Sequence, residues 1–260
     1  MNDKFGLRDY IAQLVEKDLR IDGRKLTEYR KPIKVELNIS KNAEGSAKVT
    51  IGNTEVIAGV KLDVGAPFPD TGDEGNLITS VELLALSSAE FQPGPPDAQT
   101  IELARIIDRG VRESNMIDMK KLCIKKDELV WTVFIDIYTI NDDGNLIDAA
   151  ALASVVALKN AVFPKLEKDK VNHKEFTKNK LPIEKIPVTC TLIKINDKIL
   201  VDPTIDEEKV SDARLSIAIS SDDTINALQK GGDKGINSEE IEQMIEIALE
   251  KTKELRDYIK

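Results

Sequence analysis

Three arginines recur at i, i+4 and i+7: Arg105, Arg109 and Arg112. On a helix this spacing places their guanidinium groups in one stripe. Leu103, Ile106, Ile107 and Val111 fall on the other side. Such a stripe can hold consecutive backbone phosphates bidentately, without reading bases. The same pattern also describes a solvated face, with Glu102 and Asp108 as local ion-pair partners.

Three further stretches carry chemistry-capable groups. The acidic run Asp202-Pro203-Thr204-Ile205-Asp206-Glu207-Glu208, with Asp212 beyond it, can offer oxygens to Mg²⁺ or supply a general acid and base. It lacks calcium-loop spacing and also reads as an ordinary solvated loop. The turn Asp142-Asp143-Gly144-Asn145 leads into a helix and can present backbone N–H groups to a phosphate. The basic turn Arg20-Ile21-Asp22-Gly23-Arg24, followed by Glu28 and Arg30, matches no general phosphate loop and reads as a surface turn.

Composition narrows the chemistry. His173 is the single histidine and lies in a lysine-rich polar stretch, which argues against a zinc site and a Ser-His-Asp triad. A net charge of −9 argues against a protein that coats nucleic acid with a general positive field, but leaves room for a local basic strip. Cys123 and Cys190 lie in apolar, strand-like runs and read as buried thiols of a reducing compartment. There is neither a membrane-length apolar run nor an N-terminal signal pattern, so a soluble, cytoplasmic chain with no membrane partner and no cofactor is expected.

The elements that must position these residues follow from periodicity. Residues 3–19 read as an amphipathic helix on Leu7, Ile11, Leu14, Val15 and Leu19. Strands are expected at 32–39, 46–51, 54–62 and 76–86, with Gly52-Asn53 as a hairpin turn. Residues 91–96 are a Pro/Gly loop, and 98–114 form the arginine-bearing helix. Residues 129–140 alternate as a strand, and 147–163 are apolar nearly all round, a buried helix stopped by Pro164. The Lys/Glu-rich segment 164–186 reads as an exposed linker. Strands at 188–195, 199–201 and 214–220 precede a last helix near Ser238, with Asn237 and Glu240 as a capping box. Strands cluster instead of alternating with helices, so the class is α+β, two strand-then-helix halves. The organisation expected is 1–31 as N-terminal helix and basic turn, 32–165 as a first domain and 187–260 as a second.

Taken in order, these stretches resemble the RNase PH family of phosphorolytic exoribonucleases over nearly the whole chain. The resemblance rests on Arg20, Asp22, Gly23 and Arg24 with Arg30-Lys31-Pro32-Ile33; on Gly52-Asn53-Thr54-Glu55-Val56-Ile57-Ala58; on Glu102 through Arg109; and on Val130-Trp131-Thr132-Val133 through Asp143-Gly144-Asn145. It implies a ribosomal protein S5 domain 2-like fold. Catalytic members hold inorganic phosphate at the turn after the central strand with a Ser or Thr followed by Arg. Here that turn reads Asp143-Gly144-Asn145-Leu146-Ile147, without hydroxyl or guanidinium. The family's two carboxylate positions fall on Glu208 and Arg214. The resemblance therefore implies an inactive member of the kind found in an archaeal exosome, with no catalytic residues and no metal. Its implied partners are a catalytic RNase PH-like subunit in a hetero-hexameric ring, S1- or KH-domain cap proteins, and single-stranded RNA. In that setting Arg105, Arg109 and Arg112 become RNA-backbone contacts. An active phosphate-dependent 3′–5′ exoribonuclease and a carboxylate-dependent Mg²⁺ enzyme remain as alternatives.

Overall fold

The computed structural model describes residues 3–259. Two sheets face a shared central helix. The first contains β1 (Ile33–Leu37), β2 (Gly45–Ile51), β3 (Thr54–Gly65), β4 (Asn76–Glu82), β5 (Cys123–Lys125) and β6 (Leu129–Asn141). Its order is β1-β2-β3-β6-β4, with β5 also on β6; β4 runs parallel to β6 and the other pairs are antiparallel. Period-two alternation sends Val56, Ala58, Val60 and Leu62 of β3, and Val133, Ile135 and Ile137 of β6, into the core.

The second sheet contains β9 (Val188–Ile195), β10 (Lys198–Val201), β11 (Ala213–Ile219) and β12 (Ile225–Gly231), in the order β10-β9-β11-β12. Helix α3 (Leu146–Asn160) packs against β2, β3 and β9 and is buried through residues 146–158. Its alanines let the backbones close up: a Cβ on Gly45 would sit 2.3 Å from the Ala157 carbonyl oxygen. Helix α5 (Ser238–Arg256) covers the second sheet with Met244, Ala248 and Leu255, and the expected Asn237/Glu240 capping box is present. Each half is thus a sheet followed by a helix.

Helix α1 (Asp3–Glu16) ends before the expected residue 19; Ile11 and Val15 pack against Ile193, Ile195, Leu200 and Val210 of the second half. Helix α2 (Ala98–Glu113) lies against β4, β11 and β12.

The structure corrects three expectations. Residues 164–186 are not a plain linker: β7 (Val162–Glu167) and β8 (Lys170–Lys180) form a two-stranded hairpin. Polarity suggested a linker because few of these side chains enter the core. Helix α3 stops at Asn160, and Pro164 sits inside β7. The acidic run is not all loop: α4 (Ile205–Val210) starts at a Thr204/Glu207 capping box. Among the described residues no helix is long and apolar enough to cross a membrane.

Candidate nucleic-acid interface and the β6–α3 turn

Helix α2 presents the arginine stripe. Asp97 caps it, accepting from the Thr100 N–H at 2.8 Å, and Leu103, Ile106, Ile107 and Val111 bury its other side. Arg105 and Arg109 are exposed and, among the described residues, make no hydrogen bond or ion pair. They line one groove of about 490 Å³ with Ile101, Glu102 and, from β12, Gln229. Arg112 differs. Its Nε and Nη2 donate to Asp108 at 3.0 and 2.9 Å, and Nη2 also donates to the Leu77 carbonyl at 3.0 Å. The structure therefore holds two of the three arginines as open cations and ties the third to its own helix and β4. Glu102, expected as a local partner of the stripe, instead accepts from Arg214 Nη2 at 2.6 Å.

At the turn from β6 to α3 the chain folds back on itself. Gly144 has φ +91°, and a Cβ there would lie 2.5 Å from the Pro203 carbonyl oxygen, so the second half's loop closes directly over the turn. Asn145 is left-handed (φ 53°) and buried. Its backbone N–H donates to Glu208 Oε1 at 2.9 Å, while its Nδ2 donates to Asp148 Oδ2 and Asp202 Oδ1, both at 2.9 Å. The positive end of the α3 dipole thus already faces an internal carboxylate. Burial and the nearby Asp142 charge push the Glu208 carboxyl up to about 7, against the lowering effect of the Asn145 N–H, Arg214 and Arg30. The residue as a whole is open to solvent, which moderates this shift.

Asp202 is the hub that joins the halves. Fully buried, it accepts at Oδ2 from the Arg30 N–H (2.7 Å), Arg30 Nε (2.9 Å) and Arg24 Nη1 (3.1 Å), and at Oδ1 from Arg30 Nη2 (2.8 Å). Burial alone would raise its carboxyl; the hydrogen bonds and charge of Arg30 outweigh that and hold it below the usual range. Arg20 is buried, with Nε on Glu207 Oε1 (2.8 Å), Nη1 on the Val201 carbonyl (2.8 Å) and Nη2 on the Asp202 carbonyl (2.9 Å). The basic turn lies at the surface through Ile21, Asp22 and Gly23, as its composition suggested, but Arg20 and Arg24 also make it a brace between the N-terminal segment and the second half.

The acidic run is largely consumed by these contacts. Glu207 serves Arg20 and its own cap, Glu208 serves Asn145, and Asp212 pairs with Arg8, with Lys234 at 3.0 Å, and with the Asn196 N–H at 2.9 Å. Among the described residues no group of three or more His, Cys, Asp or Glu is placed to hold a metal ion. Below the turn, Asp148 is buried and accepts at Oδ2 from Tyr29 Oη (2.8 Å) and the Thr191 N–H (3.1 Å). Burial pushes its carboxyl up to about 6, against the lowering effect of those bonds. Sequence reasoning missed the roles of Asp202 and Asp148. For Asp148 the available signal was an acid within an otherwise apolar helix; Asp202, between β10 and α4, stood undistinguished in the acidic run.

Family comparisons agree with this layout. The model of the 3′ exoribonuclease family, domain 1, matches residues 29–164, and that of domain 2 matches residues 185–251. The chain is 46% identical over 251 residues to the "Exosome complex component Rrp42" of Methanosarcina mazei, covering 96% of this chain and 91% of that one. It is 43% identical over 256 residues to the protein of the same name from Pyrococcus furiosus, covering 97% and 92%. Among solved structures, a chain of the "archaeoglobus fulgidus exosome with RNA bound to the active site" superposes with a TM-score of 0.90 at 40% identity over 99% of each chain. A chain of an "Archaeal exosome core" gives 0.87 at 37% identity, covering 100% of this chain and 99% of that one. With both domain models matched in order and relatives this similar along nearly its full length, the chain belongs to the RNase PH (3′ exoribonuclease) family.

Proposed function

We propose that this chain is a non-catalytic subunit of an archaeal-type exosome: it scaffolds a hetero-hexameric ring with a catalytic RNase PH-like subunit, helps shape that partner's active site, and holds the RNA backbone. Exosome component names among its relatives support the assignment to that complex. The observation that carries the inactivity is the Asn145–Glu208 hydrogen bond. Where a phosphorolytic enzyme needs donors for an attacking phosphate, this chain supplies neither hydroxyl nor guanidinium at residues 145–147 and directs its own carboxylate at the α3 N-terminus. Arg214 adds a cation, engaged by Glu102, where the family's second carboxylate falls.

The open pair Arg105 and Arg109, with Arg112 beside them, forms the phosphate grip. Residues 32–165 and 187–260 act as the subunit's two domains, with 1–31 bracing them. The partners are single-stranded RNA, the catalytic chain and S1- or KH-domain caps, in the cytoplasm. The reading is tested by co-expressing the chain with a homologous subunit that carries the Ser-Arg turn and both aspartates. A ring-sized complex with phosphate-dependent activity is expected; two species that never associate would refute the reading.

A further inference from the structure

The β7–β8 hairpin runs against the overall charge of the chain. Residues 162–180 hold six lysines against three acids, in a protein of net charge −9. All three acids are already engaged. Lys165 pairs with Glu167 at 2.9 Å and with Glu175 at 3.1 Å, and Lys125 reaches in to Asp169 at 2.6 Å. The ammonium groups of Lys168, Lys170, Lys174, Lys178 and Lys180 are exposed and, among the described residues, have no ion-pair or hydrogen-bond partner. Phe176 lies two residues from both Lys174 and Lys178 and is 47% exposed.

The hairpin is fixed at its root. Thr177 Oγ1 donates to the Phe163 carbonyl at 2.9 Å, the Phe163 ring packs on Trp131 with centroids 5.0 Å apart, and His173 Nδ1 lies 3.2 Å from Glu44 Oε1. Lys168, Lys170 and Lys174 line one open trough with Asn172 and His173. What sets this face apart is that five of its six lysines lack an acid partner among the described residues while an exposed ring stands between two of them. Unpaired cations around an exposed ring match what single-stranded nucleic acid requires: charge for the phosphates and a π-face for a base.

We propose that the β7–β8 hairpin is a second docking site for single-stranded RNA, on a different element from the α2 stripe, with Lys174 and Lys178 neutralising phosphates and Phe176 stacking a base. The proposal goes beyond the subunit reading and does not depend on it.

The test uses the full chain and a 5′-labelled single-stranded oligoadenylate, with binding followed by fluorescence anisotropy across a salt series. Lys174→Glu/Lys178→Glu should weaken binding about 10-fold and flatten the log–log salt slope by roughly 1.4, since each single-strand phosphate contact contributes about 0.7. Lys174→Gln/Lys178→Gln should flatten the slope similarly with an unchanged thermal melt, and Phe176→Ala should cost about 5- to 10-fold with the slope intact. Wild-type affinity and slope in all three variants would overturn the proposal. So would variants that alter only self-association in sedimentation while RNA affinity stays unchanged, which would assign the hairpin to a protein contact. Arg105→Glu/Arg109→Glu serves as an independent arm: failure of the stripe leaves the hairpin result standing, and the reverse.

Discussion

The backbone N–H of Asn145 donates to the carboxylate of Glu208 at 2.9 Å, so the N-terminus of α3 is occupied by a group from the other half of the same chain. In the proposed reading, that contact ties the loss of phosphate chemistry to the architecture. It needs the Pro203 loop to close on Gly144, which in turn needs Asp202 held by Arg30.

The Asp202 hub should therefore dominate stability. Asp202→Ala strips the buried Arg30 of its main partner and should cost about 3–5 kcal/mol, since a buried charge is left unpaired. Urea denaturation followed by circular dichroism checks this. Arg24→Ala, which removes one of several bonds to Asp202, should cost less than Asp202→Ala.

Gly144→Ala meets two obstacles together, a left-handed φ of +91° and a Cβ 2.5 Å from the Pro203 carbonyl. A loss of about 2–4 kcal/mol is expected from backbone strain plus displacement of the loop. A midpoint equal to wild type in the same denaturation experiment would mean the loop does not close as described.

Asp148 predicts a pH dependence. Its folded carboxyl titrates at about 6, above the ordinary 3.8. Between those values the folded state binds the extra proton, so stability falls as pH rises from about 4 to about 6 and then levels off. The difference amounts to about 3 kcal/mol at most. Asp148→Asn should flatten this portion of the stability–pH profile. Asp202 acts in the opposite sense: its folded carboxyl lies below the usual range, so its contribution is lost only as pH falls below about 4.

The three arginines of α2 should separate. Arg105→Glu/Arg109→Glu should weaken RNA binding by the assembled complex about 10-fold or more, leaving stability within about 0.5 kcal/mol, as expected of exposed, unpaired side chains. Arg112→Ala should cost up to about 1 kcal/mol of stability through its bonds to Asp108 and Leu77, with a smaller effect on RNA. Filter binding and thermal melts distinguish these outcomes.

Much of this was legible in residue order. Period-two alternation located the strand of Val133, Ile135 and Ile137, and helical spacing located the buried side of α2, because burial imposes those periods directly. The α5 capping box was readable because it is local. The Lys-rich hairpin was hidden: most of its side chains are exposed, so it shows polarity in place of alternation. The roles of the site arginines were also hidden. Arg24 and Arg30 carry the same charge as Arg105 and Arg109, and it takes Asp202, 178 and 172 residues away, to mark them as braces; Arg112's partner Asp108 was readable four residues away, but its bond to the Leu77 carbonyl, 35 residues away, was not. Glu208 was readable as a departure from the family's carboxylate, but its grip on Asn145 was not, since it spans 63 residues.

The chain has the fold of the 3′ exoribonuclease family, and in the proposed reading it lacks that family's chemistry. The most direct measurement incubates the purified chain alone with 3′-extended single-stranded RNA and inorganic phosphate and follows nucleoside diphosphate release. No release is predicted, with activity arising only when the catalytic homologue is added. Phosphate-dependent release by the chain alone, abolished by substitution at Glu208, would show instead that it is a phosphorolytic enzyme in its own right.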